Sequence, residues 1–287
     1  MIFVLLFILL NYFNININFI KLLMYNNYTN FLQELNNNNL SKLDFKSNQS
    51  YRGILEHVSY EHGKEYLNLV LKEFPNIDHN KIINYCLLND RFGNPNKKLF
   101  QIENKEFECS PTSLRYVYHA LLILTHYKTM KSNNIVEVGC GYGGLCLSIN
   151  YFMADLEVEI TNYHLIDLSE PILLIEKYLD LHKDTVNCNL HFHDSSTFGS
   201  NINDTNLFFI SNYCYTEISE SYHANYTNIL LPKVDHGFIT WQNGGNGGTY
   251  PVHNAINIIN KEITKVIDEK PQTDAGYDIY RNYFVYF

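Results

Sequence analysis

The stretch Ile135-Val136-Glu137-Val138-Gly139-Cys140-Gly141-Tyr142-Gly143-Gly144 decides how this chain folds. A short β-branched run carrying one carboxylate passes directly into a glycine-rich loop, and Leu145–Phe152 beyond it has the apolar spacing of a helix. Strand, glycine turn and helix in that order make a loop whose backbone turns tightly and meets a ligand without Cβ atoms in the way. Gly139, Gly141 and Gly144 also satisfy the dinucleotide pattern G-x-G-x-x-G, so the glycines alone leave the ligand open.

Downstream of the loop, short apolar runs alternate with helical stretches, the pattern of a parallel sheet built from βαβ units. Strands are expected at Ile135–Val138, Tyr163–Ile166, Leu190–Phe192, Leu207–Ile210, Gly237–Thr240, Ile263–Ile267 and Tyr283–Phe287, with a helix over Ile172–Leu181. The last two strands lie close in sequence and are expected to pair as an antiparallel hairpin, an ending that a plain dinucleotide-binding sheet lacks. Upstream, helices are expected around Tyr66–Leu71, Ile82–Leu88 and Pro111–Leu124, the last with Ser110 as N-cap and Pro at its first position. The fold expected is therefore α/β, a Rossmann-like seven-stranded sheet over 131–287, preceded by a helical N-terminal cap over 24–130.

Residues 1–23 stand apart. Met1–Leu10 is wholly apolar, but Asn11, Asn14, Asn16 and Asn18 interrupt the run short of the ~20 apolar residues of a spanning helix. No basic n-region or small-residue cleavage site marks a signal peptide. The segment is read as non-structural or as an anchor, with a signal peptide as the remaining alternative, and any membrane association is expected to run through it alone.

The remaining composition narrows the class. Of 287 residues 46% are hydrophobic and 18% charged, enough apolar surface for a sizeable core. With 30 acidic residues against 21 basic and a net charge of −9, a phosphate backbone is repelled, so no nucleic-acid partner is expected. The cysteines at 86, 109, 140, 146, 188 and 214 form no Cys-x-x-Cys pair, which fits a reducing, cytoplasmic setting better than a disulfide framework.

Glu137 chooses among ligands for the loop. A dinucleotide strand normally carries an apolar residue there, whereas S-adenosyl-L-methionine (SAM) has no pyrophosphate and bears a sulfonium and an ammonium group. A carboxylate near the loop suits that ligand by ordering loop amides or holding its amino group, the alternative being a satisfied core carboxylate. Asp167, with Leu168 after it, ends the second strand, where an acid accepts both hydroxyls of a ribose. Asp194-Ser195 follows the third strand, at the place of an adenine or of a simple Asp turn. Gly139, Gly141, Gly143, Glu137, Asp167, Leu168, Asp194 and Ser195 form the expected cofactor site.

With these residues in view the chain resembles the sugar O-methyltransferases of the class I, seven-stranded SAM-dependent superfamily. The likeness rests on Glu137–Gly144, on Ser110-Pro111-Thr112-Ser113-Leu114-Arg115-Tyr116, on Phe209-Ile210-Ser211-Asn212-Tyr213-Cys214-Tyr215-Thr216-Glu217-Ile218-Ser219, and on Glu269-Lys270-Pro271 with Asn282-Tyr283-Phe284-Val285. It covers the chain from about Asn89 onward and implies methyl transfer from SAM to a hydroxyl of a sugar, glycan or other small molecule. The Gly-rich tract Gln242–Gly248 departs from it, and no Asp-Asp pair at the strand-four and strand-five ends supports a metal.

Methyl transfer is an in-line displacement and needs alignment above all, with a base for the hydroxyl proton. In an open parallel sheet these groups sit at the carboxyl ends of the strands. Glu217 is the expected base or hydroxyl acceptor, Tyr213 either walls the methyl channel or simply packs, and His193 is either a second base or structural. For the acceptor, Arg115 and Tyr116 close the pocket from the cap, Arg115 pairing a carboxylate or lying on a surface. Asn212 and Asn243 face the same edge, and Trp241 either stacks on a sugar or fills core. Three rivals remain: an NAD(P)-dependent sugar-modifying enzyme, a non-catalytic SAM-fold binding protein, and a small-molecule or lipid O-methyltransferase held at a membrane by residues 1–23.

Overall fold

The computed structural model of the chain describes residues 26–35, 44–243, 250–273 and 281–287. The apolar segment 1–23, the tract Asn36–Asn39 and the glycines of 244–248 lie outside the described residues.

Ahead of the main sheet come helix α1 (26–35), then α2 (Gln49–Arg52), α3 (Tyr60–Glu73) and α4 (His79–Asn89). Next is an antiparallel hairpin of β1 (Lys98–Ile102) and β2 (Lys105–Cys109), then α5 (Pro111–Tyr127). The hairpin corrects the expectation of helices and loops throughout this region. Phe100, Ile102, Phe107 and Cys109 alternate inward between exposed neighbours, a period of two that buries one face of a ribbon. Helix α5 begins as expected: Ser110 Oγ accepts from Ser113 N and Pro111 stands at the first helical position.

The main sheet contains β3 (Asn134–Val138), β4 (Asn162–Asp167), β5 (Asn189–Asp194), β6 (Leu207–Asn212), β7 (Val234–Gln242), β8 (Lys265–Asp268) and β9 (Asn282–Tyr286). Their spatial order is β5-β4-β3-β6-β7-β9-β8, with β9 alone antiparallel to both of its neighbours. The final pair is a hairpin as expected, but its second strand enters the sheet between β7 and β8 and leaves β8 at the edge.

Strand alternation divides the core between the two faces. Ile135, Tyr163, Leu165, Phe208, Ile210, Phe238 and Phe284 pack on one side with α5, α6 (Gly144–Phe152) and α7 (Ser169–Asp180). Val136, Val138, Ile166, Phe209, Ile239, Trp241 and Val285 pack on the other with α8 (Glu220–Ile229) and α9 (Ala255–Ile259). Burial on both faces is why the central strands read as nearly continuous apolar runs.

The N-terminal helices are tied to the glycine loop by buried polar groups. Asn89 Nδ2 donates to Ser113 Oγ (2.7 Å) and to Tyr142 Oη (3.0 Å), and Tyr178 Oη donates to Asn89 Oδ1 (2.9 Å). Lys46, fully buried, donates from Nζ to Asn89 O (2.5 Å) and stands 4.2 Å from the centre of the Tyr142 ring. The ring's negative face offsets part of the cost of burying that ammonium, while burial lowers its pKa.

Candidate active site

Strand order reverses at β3: the chain crosses to β4 on one side and to β6 on the other. A crevice opens at the carboxyl ends of strands where such a reversal occurs, and the glycine loop occupies that point. Gly139, Gly141 and Gly143 have φ of +80°, +63° and +88°, so all three need the left-handed region that side chains resist. Gly139 N donates to Ile166 O (3.0 Å), and Gly143 N to Cys140 O (2.9 Å).

Asp167 fastens the loop to the next strand. Its Oδ2 accepts from Cys140 N (2.7 Å) and its Oδ1 from Leu168 N (2.9 Å). Burial raises its pKa to about 6, opposed by these amides, so the carboxylate is kept in place at an energetic cost. Asp194 pairs in register with Asp167 on the neighbouring strand and caps a turn of 3₁₀ helix over Ser195–Thr197 by accepting from Ser196 N (2.8 Å).

Glu137 has a different setting from either functional role expected of it. Buried, it accepts from Tyr163 Oη at Oε2 (2.6 Å), and desolvation pushes its pKa up to about 8. Side chains alternate along a strand, so Glu137 shares its face with Ile135, against Tyr163 of β4. Asp167 holds the loop amides, and Glu137 is engaged at Oε2 by Tyr163.

The residues after β6 gather on the other side of the loop. Tyr213 has φ +64°, donates from N to Thr240 O (3.1 Å) and donates a hydrogen bond from its hydroxyl to Glu269. Glu269 is also held by Thr273 N (2.9 Å) and Asn282 Nδ2 (3.0 Å). The Arg115 guanidinium lies 5.5 Å from the centre of the Tyr213 ring and 5.6 Å from that of Tyr116. Tyr116 packs on the loop itself: a Cβ at Gly144 would come within 2.5 Å of its ring. Arg115 is buried, correcting the surface alternative, and its Nη2 donates to Leu55 O (3.2 Å).

Leu55 and Cys214 complete the surround. A Cβ at Gly141 would stand 3.3 Å from Leu55 Cδ2, and one at Gly139 only 2.3 Å from Cys214 Cβ. Asn212 ends β6 and accepts from Thr240 Oγ1 (2.6 Å). Glu217 is exposed in the turn before α8, its N donating to Cys214 O (2.9 Å). With its amide nitrogen turned toward them, Gln242 donates to Tyr213 O (2.6 Å) and to Glu217 Oε1 (3.2 Å).

Two expected members fall elsewhere. His193 is on β5, separated from β6 by β4 and β3, and its Nε2 shares a hydrogen bond with His164 Nδ1 (3.0 Å). His164 Nε2 in turn meets Asp204 Oδ2 (2.7 Å). This histidine chain stands three strands from the Tyr213 edge, so His193 is not brought together with Tyr213 and Glu217. Trp241 is fully buried with Nε1 donating to Tyr250 O (2.8 Å), so it fills core and presents no face to a sugar. Asn243 is held locally, its Oδ1 accepting from Val252 N (2.7 Å).

The structure adds residues that the sequence reading missed. His119, one turn beyond Arg115 on α5, is buried 6.2 Å from the Tyr213 ring centre, and burial lowers its pKa to about 3. Glu56, between α2 and α3, is raised to about 7 by burial. Only the i, i+4 spacing of Arg115 and His119 hinted at a shared face; nothing local marked Glu56.

No protein-family model and no curated protein matches the chain, so its likeness to the sugar O-methyltransferases rests on the segments quoted above. Solved structures similar to part of it include a SAM-dependent methyltransferase from Aquifex aeolicus, at 13% identity and a TM-score of 0.44, covering 58% of this chain and 87% of that one. Another is the magnesium protoporphyrin IX methyltransferase of Synechocystis with bound SAM, at 10% identity and a TM-score of 0.43, over 60% and 77% of the two chains. A third is the mitomycin 7-O-methyltransferase MmcR, at 10% identity and a TM-score of 0.43, over 61% and 55%. The fold class rests on this chain's own sheet, a Rossmann-like seven-stranded α/β arrangement with one antiparallel strand.

Proposed function

We propose that this chain is a methyltransferase that uses S-adenosyl-L-methionine and transfers its methyl group to a hydroxyl of a sugar or other small molecule. One observation carries the choice of cofactor: in the sheet whose switch point at β3 carries the Gly139–Gly143 loop, β9 runs antiparallel between β7 and β8. The dinucleotide-binding sheet is built from two parallel halves in the order 3-2-1-4-5-6 and has no such strand. Glu137, engaged by Tyr163, no longer contributes to that choice.

The residues present fit the cofactor. The left-handed glycines leave the loop backbone bare, and Asp167, half-buried and able to accept hydrogen bonds, suits a ribose diol, with Leu168 beside it. Asp194 and Ser195 on the adjacent strand end suit an adenine. SAM, when bound, supplies an electrophilic methyl group on a cationic sulfonium.

The chain's own groups do the rest. Tyr213 and Cys214 narrow the space over Gly139, fixing the direction from which an acceptor approaches. Glu217, steadied by Gln242, takes or orients the hydroxyl proton, while Arg115, Tyr116 and Asn212 line the acceptor side. The described residues ahead of β3 close over the loop through Leu55 and Tyr116. The free cysteines fit a cytoplasmic location.

Calorimetric titration of the purified chain with SAM, with its demethylated product and with NADH tests the cofactor. Binding of the first two, and not of NADH, is expected. Micromolar NADH binding without a SAM response would overturn the reading.

A further inference from the structure

Arg115 is 6% exposed, yet its Nε has no hydrogen-bond partner; the same holds for His119 Nε2, on the same helix face and buried as deeply. Guanidinium groups are seldom buried with a donor idle, because lost hydration is then uncompensated. Glu269, the carboxylate beyond Tyr213, is already engaged by Tyr213, Thr273 and Asn282. The rings of Tyr116 and Tyr213 flank the guanidinium and fix its plane. The ring of Tyr66 lies 5.8 Å from that of His119 and closes the far side. The socket therefore holds two buried donors, Arg115 Nε and His119 Nε2, that are short of an acceptor, with Glu56 as a further charge acting on the guanidinium.

Its position separates donor from acceptor. Asp167 and Asp194 lie on β4 and β5, to one side of the glycine loop, while Tyr213 follows β6, to the other. Tyr116 faces the loop at Gly144, whereas Arg115 and His119 face Tyr213, and His119 reaches Phe284 of β9.

We propose that Arg115 anchors a carboxylate carried by the methyl acceptor, so that the acceptor is a hydroxy acid, such as a sugar acid, and not a neutral sugar. A planar carboxylate matches the guanidinium fork, and a singly charged anion asks less of this one guanidinium than a phosphate dianion would. The proposal rests on the methyltransferase reading and names the acceptor class for that site.

The test compares pairs that differ in a carboxylate, glucuronate with glucose and glycerate with glycerol, titrated into the full chain with the demethylated cofactor present. The acid of at least one pair should bind ten-fold or more tighter than its neutral partner. Arg115→Gln should erase that preference, Arg115→Lys should keep part of it, and SAM affinity should stay within three-fold in both. Equal binding within each pair, or no binding of any member, overturns the proposal, and this wild-type comparison decides even if the variants misfold. A ten-fold loss of SAM affinity in Arg115→Gln with the acid preference intact also overturns it, assigning the guanidinium to the donor's own carboxylate. A wild-type chain that fails to bind SAM sinks the methyltransferase reading itself, a failure distinct from both.

Discussion

Glu217 and Glu137 are two carboxylates with opposite surroundings, one exposed and one buried, and each yields its own measurement. Glu217 is exposed in the turn after β6, where a hydroxyl proton can leave to water. Replacing it by Gln keeps the shape and removes the proton acceptor. Glu217→Gln should lower the methylation rate by about 10²–10⁴ with SAM affinity within a few-fold, the usual contribution of a general base. An unchanged rate, measured with SAM on candidate hydroxy acids and sugars, would take Glu217 out of the chemistry; a raised acceptor KM alone would make it a binding group. Glu137 is buried beside Tyr163 with its pKa raised to about 8. In the unfolded chain a glutamate releases its proton near pH 4.3, so between these values the folded protein binds more protons than the unfolded one. Stability from this group is full below the lower value and is lost as pH rises through the upper one. Denaturant titrations at pH 5 and pH 9 should therefore show wild type weakening with pH. Glu137→Gln, which can still accept from Tyr163, should flatten that difference. An identical pH dependence in the two proteins would mean that Glu137 is ionised throughout.

At the scale of elements, the glycine loop is held from outside its own βαβ unit. Asn89, at the end of α4, binds Tyr142 of the loop, Tyr178 of α7 and Ser113 of α5. Asn89→Ala leaves the Tyr142 hydroxyl without this donor in a buried site, at a cost of about 1–3 kcal/mol for such a group. A fall in Tm of several degrees and weaker SAM binding are expected. Asn68→Ala, on the exposed face of α3, should do neither, and equal melting of the two variants would show that the network carries no load. These contacts also explain what could be read in advance. The parallel strands and the loop were legible because burial on both faces leaves uninterrupted apolar runs, and because a turn at φ > 0 demands glycine. The β1–β2 hairpin was not: Lys98, Gln101, Lys105, Glu106 and Glu108 outnumber its inward residues, and its turn at Glu103–Asn104 carries no glycine. Glu137 was located, but its partner Tyr163 was not legible, because it is on another strand. Trp241 and His193 were likewise placed at the right strand ends, but sequence spacing cannot reveal which face binds Tyr250 or His164.

Across the whole molecule, one hydrophobic cluster runs from Tyr28 in α1, through α5 and the sheet, to Tyr286 in the last strand. The helices before residue 131 are thus packed into the same core as the cofactor loop, and shortening the chain from its start should have a sharp threshold. Residues 1–23 lie outside the described residues, and no described helix is long and apolar enough to cross a membrane. A chain starting at Met24 should match the full chain in Tm and SAM affinity. A chain starting at Asp44 loses Tyr28, Leu32 and Leu35, which are 5%, 0% and 2% exposed. Each such side chain contributes about 1.5–3 kcal/mol through burial, a large share of the ~5–15 kcal/mol that holds a typical domain folded. It also loses the edge of the Tyr28–Tyr51 ring pair, next to the segment that places Leu55 over Gly141. The second chain should therefore melt well below the first and bind SAM more weakly, as thermal melts and calorimetry of the three proteins will report. Membrane fractionation adds the remaining check. If the full chain partitions with membranes and the chain starting at Met24 loses activity, residues 1–23 are an anchor, and the enzyme works at a membrane surface.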